Sequence, residues 1–223
     1  MKRPRICAVI ITSDLEAIRQ VEPFVDLFEI RIDHVGDVWP ELANQLNRPW
    51  IACNRSISEG GLWEESEEGR IEELLKAMEF GASIVDIEIG TSKLAQALPL
   101  IKGRASCLLS FHNFQGTPPL DELKEIVQRQ IGAGADICKV VTTANSPDDN
   151  LTVLQLIAQF PGIRMVSVAM GNLGLTSRIL CPLVGGDFTY ASIDRDKESA
   201  PGQMTVGELV KIYQMVGAWG IEL

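Results

Sequence analysis

Eight short runs rich in apolar and β-branched residues recur along the chain, and segments of helical periodicity lie between them. The runs are Ile6 to Thr12, Leu27 to Asp33, Trp50 to Arg55, Ser83 to Ile89, Ser106 to His112, Asp136 to Thr142, Arg164 to Met170 and Phe188 to Asp194. The helical segments are clearest at Asp14 to Phe24, Glu65 to Phe80, Pro119 to Ile131, Pro147 to Phe160 and Thr205 to Trp219. Such alternation predicts a parallel sheet in which each strand is returned by a crossover helix. Helix-start signals agree: Thr12-Ser13-Asp14 precedes the first helix, and Asn145-Ser146-Pro147 reads as a cap followed by an early proline.

Two architectures satisfy this alternation, a closed (β/α)8 TIM barrel and an open doubly wound sheet. Six of the eight runs end in a polar or charged residue (Thr12, Asp33, Arg55, His112, Thr142, Asp194), as expected where strand ends build the catalytic face of a barrel. An open sheet more often has a glycine-rich first turn, and none follows Ile6 to Thr12. The expected α/β fold is therefore a (β/α)8 TIM barrel in which residues 1–223 form a single catalytic domain.

Charge and cysteine usage narrow the partners. Twenty Lys and Arg against 30 Asp and Glu give a net charge of −10, with the basic residues scattered, which disfavours nucleic acid. A few arginines in a low-dielectric mouth can still hold a small anion. None of the five cysteines forms a CxxC pair, and four lie in strongly apolar runs, as expected in a reducing, cytoplasmic setting. MKRPR followed by ICAVIIT imitates a secretory signal, but the run continues into TSDLEAIRQV without a small-residue cleavage site and reads as a first strand. No membrane span is expected, and the Asn54 and Asn150 sequons have no meaning in a cytosolic chain.

Strand residues two apart share a face, so Glu29, Arg31 and Asp33 fall together opposite Phe28, Ile30 and Ile32. Three charges against the helical layer would each need a buried partner, so they are placed in the polar upper interior. Asp86 and Glu88 repeat the pattern. A structural lattice of ion pairs is the alternative reading of these carboxylates.

Lys139 is the only lysine inside a candidate strand, flanked by Ile137, Cys138, Val140 and Val141. Desolvation is expected to lower its pKa and free an amine able to form an imine; the alternatives are a snorkelling lysine or a salt bridge to Glu29 or Glu88. His34 and His112 are the only histidines, and His112 ends the strand before that of Lys139, where it could move protons at a substrate held by the lysine. His34 lies just past a strand and has a weaker claim. Arg55 and Glu59 bracket the turn leading to Gly60-Gly61, where positive φ is expected, and Arg178 closes the Met170-to-Arg178 loop as a bidentate anion grip. Asp194 to Gln203 has the polarity of a mobile lid or, equally, of an idle solvent loop. There is no HExxH, no histidine pair, no GxGxxG and no Walker loop, so chemistry without a metal or cofactor is expected.

Taken in order, these residues resemble the type I 3-dehydroquinate dehydratase family, and the resemblance runs through nearly the whole chain. Its Glu-x-Arg is matched by Glu29 and Arg31, and its Arg-x-x-x-Glu-Gly-Gly by Arg55, Glu59, Gly60 and Gly61. Ser-x-His is matched by Ser110 and His112, and the imine lysine by Lys139. Met-Gly-x-x-Gly-x-x-Ser-Arg is matched at Met170 to Arg178, and Ser-Ala-Pro-Gly-Gln at Ser199 to Gln203. Phe111 and Asn113 depart from the family's common tyrosine and aspartate, and the short connections resemble a compact archaeal-like member. The resemblance implies Schiff-base dehydration of 3-dehydroquinate to 3-dehydroshikimate in the shikimate pathway. Lys139, His112 and Glu59 would be catalytic, and Glu29, Arg31, Arg55, Arg178, Ser199 and Gln203 would bind substrate. It also implies no metal or cofactor, a small-molecule substrate as the main partner, and a homodimer.

Two rival readings make different predictions. A class I aldolase would need a phosphate site after strands seven and eight, where SAPGQ better suits a carboxylate. A non-catalytic barrel binding a hydroxy acid would be expected to have lost Lys139 or His112.

Overall fold

All eight expected strands form and run parallel in the computed structural model, which describes residues 3–195 and 198–219. They are β1 (Ile6–Ile10), β2 (Leu27–Arg31), β3 (Trp50–Cys53), β4 (Ile84–Glu88), β5 (Ser106–His112), β6 (Ile137–Thr143), β7 (Met165–Met170) and β8 (Thr189–Ser192). The helices are α1 (Leu15–Val21), α2 (Ile32–Val35), α3 (Trp39–Ala43), α4 (Glu67–Glu79), α5 (Leu94–Ile101), α6 (Leu120–Ala133), α7 (Asp149–Gln159), α8 (Leu175–Leu180) and α9 (Val206–Met215). The strands pair in sequence order from β1 to β7, and β8 pairs with β1, giving the nearly closed ring of a (β/α)8 TIM barrel. Between β7 and β8 no ladder is formed among the described residues; Asp187 N donates to Met165 O at 2.7 Å across that seam.

Strand alternation sorts the side chains. Ile6, Ala8, Ile10, Phe28, Ile30, Val85 and Ile87 face outward into a layer shared with α1, α3, α4, α5 and α9. Cys7, Leu27, Ile51, Ile84, Leu108 and Ile137 fill the lower barrel and belong to the second apolar cluster, which also takes in α6 and α7. Above them the same inward positions turn polar: Glu29 and Arg31 on β2, Asp86 and Glu88 on β4, Ser110 and His112 on β5, Lys139 on β6. The apolar floor and the polar ceiling thus come from one period-2 pattern.

The helices follow their local signals. Ser66 caps α4 by accepting from Gly69 N at 3.1 Å, and Arg70, Ile71, Leu74 and Ala77 form its buried stripe. Thr205 and Glu208 make a reciprocal capping box at the start of α9. Asp14 caps α1.

Several boundaries differ from expectation. The second strand stops at Arg31 because Ile32–Val35 coils into α2, so Asp33 leaves the strand face, although its side chain turns back to Arg31. The first and last strands end at Ile10 and Ser192, short of Thr12 and Asp194. Asn145-Ser146-Pro147 forms a turn whose backbone N–H groups at Asn145 and Ser146 donate to Asp149, and α7 begins only at Asp149. The last helix ends at Met215, and Trp219 stacks on Tyr213 of the same chain, with ring centroids 6.3 Å apart. Asn54 and Asn150 are both buried, and all five cysteines are free and buried. No helix among the described residues is long and apolar enough to cross a membrane.

Candidate active site

The carboxyl ends of the strands surround a cavity of about 530 Å³, part of it open to solvent. Glu29, Arg31, Arg55, Glu59, His112, Lys139, Arg178, Ser199 and Gln203 all line it. Residues spread over 175 positions of sequence therefore meet at one mouth, delivered by six strand ends or the segments after them. His34 does not line the cavity; it is half-buried, with Nε2 3.8 Å from Asp33 Oδ2.

Lys139 is 5% exposed, and its Nζ donates to Asp86 Oδ2 at 2.8 Å and lies 3.5 Å from Glu29 Oε2. The Tyr190 ring closes the remaining side, with Nζ 4.3 Å from its centroid. Burial alone would lower this lysine's pKa, but Asp86 and Glu29 raise it above its ordinary value. The expectation of a lysine neutralised by desolvation is thus reversed: two carboxylates outweigh the burial penalty and keep a resting ammonium. Of the two partners weighed in the salt-bridge alternative, Glu29 meets the lysine. Glu88 does not, because it is held by Arg55 at 3.1 Å and Arg70 at 2.6 Å.

His112 and Glu59 form a pair, Nδ1 to Oε2, at 2.9 Å. Burial and the cations of Arg55 and Lys139 push the His112 pKa well below its ordinary value, so the ring is neutral at pH 7. Burial and the nearby Glu88 carboxylate push Glu59 up to about 7. An ionised Glu59 accepts from Nδ1–H, which leaves the lone pair on Nε2 for a base. Gly60 adopts φ +77° in the turn that positions Glu59. Gly61 has no positive φ; it is needed for space, because a Cβ there would overlap the Arg55 carbonyl.

The arginines divide by function. Arg31 is clamped by Asp33 through Nε at 2.9 Å and Nη2 at 2.6 Å. Arg55 gives Nη1 to Glu88 and Ser110, and Nη2 to Asp86 and the Cys53 sulfur. Arg178 differs: it is 3% exposed, its Nε and Nη2 have no hydrogen-bond partner, and burial lowers its pKa to about 10. Buried cationic N–H groups left open at a cavity suit an incoming carboxylate. Beside it, Ser199 donates from N (2.9 Å) and Oγ (3.1 Å) to Gln203 Oε1. Pro201 O accepts from Gly171 N at 3.0 Å, docking this segment on the loop after β7. The Asp194-to-Gln203 lid expectation falls partly on 196–197, outside the described residues.

Asp86 is the main site residue that the candidate set omits. It accepts from Lys139, Arg55 and Ser110 and is the hub of the charge lattice. Its signal was the alternation with Glu88 on the fourth strand. Arg70, Phe114 and Tyr190 gave no comparable signal: one arginine on a helix and two rings cannot be told from ordinary packing by sequence spacing. Glu29, Cys53 and Asp86 place three potential metal-ligand atoms within 4.8 Å, but Lys139 and Arg55 already meet that donor set.

Comparison with known proteins identifies the family. The model of the family described as Type I 3-dehydroquinase matches residues 6–219. A 3-dehydroquinate dehydratase of Dehalococcoides mccartyi is 43% identical over 217 residues, covering 97% of each chain. One from Methanosarcina barkeri is 34% identical over 231 residues, covering 96% of each. The crystal structure of 3-dehydroquinate dehydratase from Geobacillus kaustophilus HTA426 matches with a TM-score of 0.84 at 26% identity, covering 99% of this chain and 97% of that one. With the family model spanning residues 6–219 and a relative 43% identical over 97% of the chain, this chain belongs to the type I 3-dehydroquinase family.

Proposed function

We propose that this chain is a hydro-lyase that converts 3-dehydroquinate to 3-dehydroshikimate, in the shikimate pathway, through an imine on Lys139. The observation that carries the reading is the convergence of a buried lysine, a neutral histidine paired with a carboxylate, and an arginine with open N–H groups at one cavity. Attack by the Lys139 amine on the C3 ketone and loss of water give a protonated imine. That group accepts the electron pair left when a C2 proton departs. His112, neutral at rest, takes that proton and then protonates the C1 hydroxyl as it leaves. Glu59 fixes the ring through Nδ1 and stabilises the imidazolium formed in between.

Arg178, with Ser199 and Gln203 beside it, receives the substrate carboxylate. Arg31 and Arg55 bring positive charge to the ring hydroxyls while their own carboxylate partners hold them in place, and Glu29 stands at the same wall. Ser199 to Gln203, packed over the cavity, would help exclude water from the imine. We further propose that residues 1–223 act as one catalytic domain, in a reducing cytoplasmic setting that suits five unpaired cysteines. A homodimer through the exposed Met215 and Val216 end of α9 fits the same reading and is checked by light scattering.

The test is ultraviolet absorbance of the conjugated enone carboxylate when 3-dehydroquinate is added. A rise with the wild type and none above background with Lys139→Ala is expected. Near-wild-type turnover by Lys139→Ala would refute the imine assignment, and no turnover by either would refute the substrate.

A further inference from the structure

An ammonium has no lone pair with which to attack a carbonyl, and Lys139 rests charged. Its proton has to leave inside a site from which water is largely excluded. Three groups are the candidates to receive it: Asp86, His112 and Glu29.

Asp86 is nearest but poorly suited. The oxygen that faces Lys139 at 2.8 Å also accepts from Arg55 Nη2 at 2.7 Å, and its other oxygen accepts from Ser110 Oγ at 2.7 Å. Burial would raise this carboxylate's pKa, but Arg55 and Lys139 hold it far below the usual range, so it stabilises the ammonium without discharging it. His112 is surrounded by the positive charge of Arg55 and Lys139, which opposes its taking another proton in the resting site. Its Nδ1 is already engaged by Glu59.

Glu29 is in the opposite condition. It is 3% exposed, and its Oε2 has no hydrogen-bond partner. Its one ion-pair partner among the described residues is Lys139 at 3.5 Å, about 0.5 Å beyond an ordinary N–H···O bond. The Tyr190 ring confines Nζ to the space between Asp86 and Glu29. A small movement of the lysine terminus therefore completes a hydrogen bond to an oxygen that no group engages at hydrogen-bond geometry, the Tyr190 hydroxyl being the other polar neighbour of this carboxylate.

We propose that Glu29 is a catalytic residue that takes the ammonium proton of Lys139, turning the ion pair into a neutral amine and a neutral carboxylic acid before the attack. This rests on the imine reading above. One N–H bond of Lys139 breaks and its electron pair stays on Nζ, while an O–H bond forms on Glu29 Oε2. The site's net charge is unchanged, and two buried charges disappear together, which offsets part of the cost of discharging a stabilised ammonium. When the imine is hydrolysed, the acid returns the proton to the released amine and the resting pair is restored.

The test uses Glu29→Gln, which keeps the side chain's size but cannot receive the proton. Wild type and variant are mixed with saturating 3-dehydroquinate, quenched with borohydride at intervals, and scored by mass spectrometry for adduct on Lys139. Imine formation in the variant is expected to slow by at least about 100-fold. Its rate should rise with hydroxide concentration over roughly pH 6 to 9, where the wild type is nearly flat. Glu29→Asp, which keeps a carboxylate one methylene further back, should recover part of the rate.

A purely electrostatic part for Glu29 predicts the opposite sign, because removing a carboxylate that raises Lys139's proton affinity makes the amine easier to free. Imine formation in Glu29→Gln as fast as in the wild type, or slow without pH dependence, overturns the proposal. If the wild type itself yields no Lys139 adduct, the imine reading fails before the proton assignment is reached.

Discussion

Arg70 is the most deeply buried cation in the charge lattice, and its removal should be felt throughout the molecule. It sits on α4 at 1% exposure and donates to Asn54 O at 3.0 Å, Glu88 Oε2 at 2.6 Å, Thr91 Oγ1 at 2.9 Å and Glu67 Oε2 at 3.3 Å. One guanidinium thereby ties the loops after β3 and β4 to the first turn of α4. Arg70→Met keeps most of the volume but leaves Glu88, itself 3% exposed, with Arg55 as its one remaining cation. Removing one partner of a buried pair costs about 3–5 kcal/mol. In a domain of this size that corresponds to a fall in Tm of roughly 6–20 °C. Urea titration with an unchanged slope would measure the loss, alongside a calorimetric scan. The double variant Arg70→Met/Glu88→Met removes both charges and should lose less than the sum of the two single changes. A loss below about 1 kcal/mol in Arg70→Met, or strict additivity in the double variant, would refute the claim that this pair organises the catalytic end.

Two further outcomes follow from the site. Arg178→Met removes the two unpartnered cationic N–H groups, and hydrogen bonds to a charged group are worth about 1.5–3 kcal/mol, so KM should rise roughly 10- to 150-fold with kcat much less affected; an unchanged KM would show that the carboxylate binds elsewhere. In the His112 and Glu59 dyad, acid below about pH 7 places a proton on Glu59, which then donates to Nδ1 and puts the hydrogen on Nε2, where a base needs a lone pair. Activity should therefore fall as pH drops through about 7, and a kcat/KM profile of Glu59→Gln should lack that limb.

Much of this was legible in the sequence because the barrel writes itself in two periods. Eight apolar runs separated by helical segments gave the strand count, and polar strand ends gave the face on which the site would lie. Inward charges such as Glu29, Arg31, Asp86 and Glu88 were visible because alternation leaves them no room among the apolar outward positions. What stayed hidden depended on contacts between strands. The protonation of Lys139 could not be read from its apolar neighbours, since Asp86 and Glu29 reach it from β4 and β2. Gly61 looked like a positive-φ glycine, but its reason is the nearby Arg55 carbonyl. Helix α5 did not stand out because it contains Pro99, and α2 was absorbed into a strand because Ile32-Asp33 continued the alternation. Arg70 resembles any solvent-facing arginine of a charged helix until the fold turns it inward.

The central claim is that Lys139 forms the imine, and borohydride reduction during turnover of 3-dehydroquinate tests it most directly. The account predicts one reduced adduct per chain, mapped by peptide mass spectrometry to Lys139, with irreversible loss of activity in step with its formation. Turnover that continues undiminished under borohydride, or an adduct on another lysine, would contradict it.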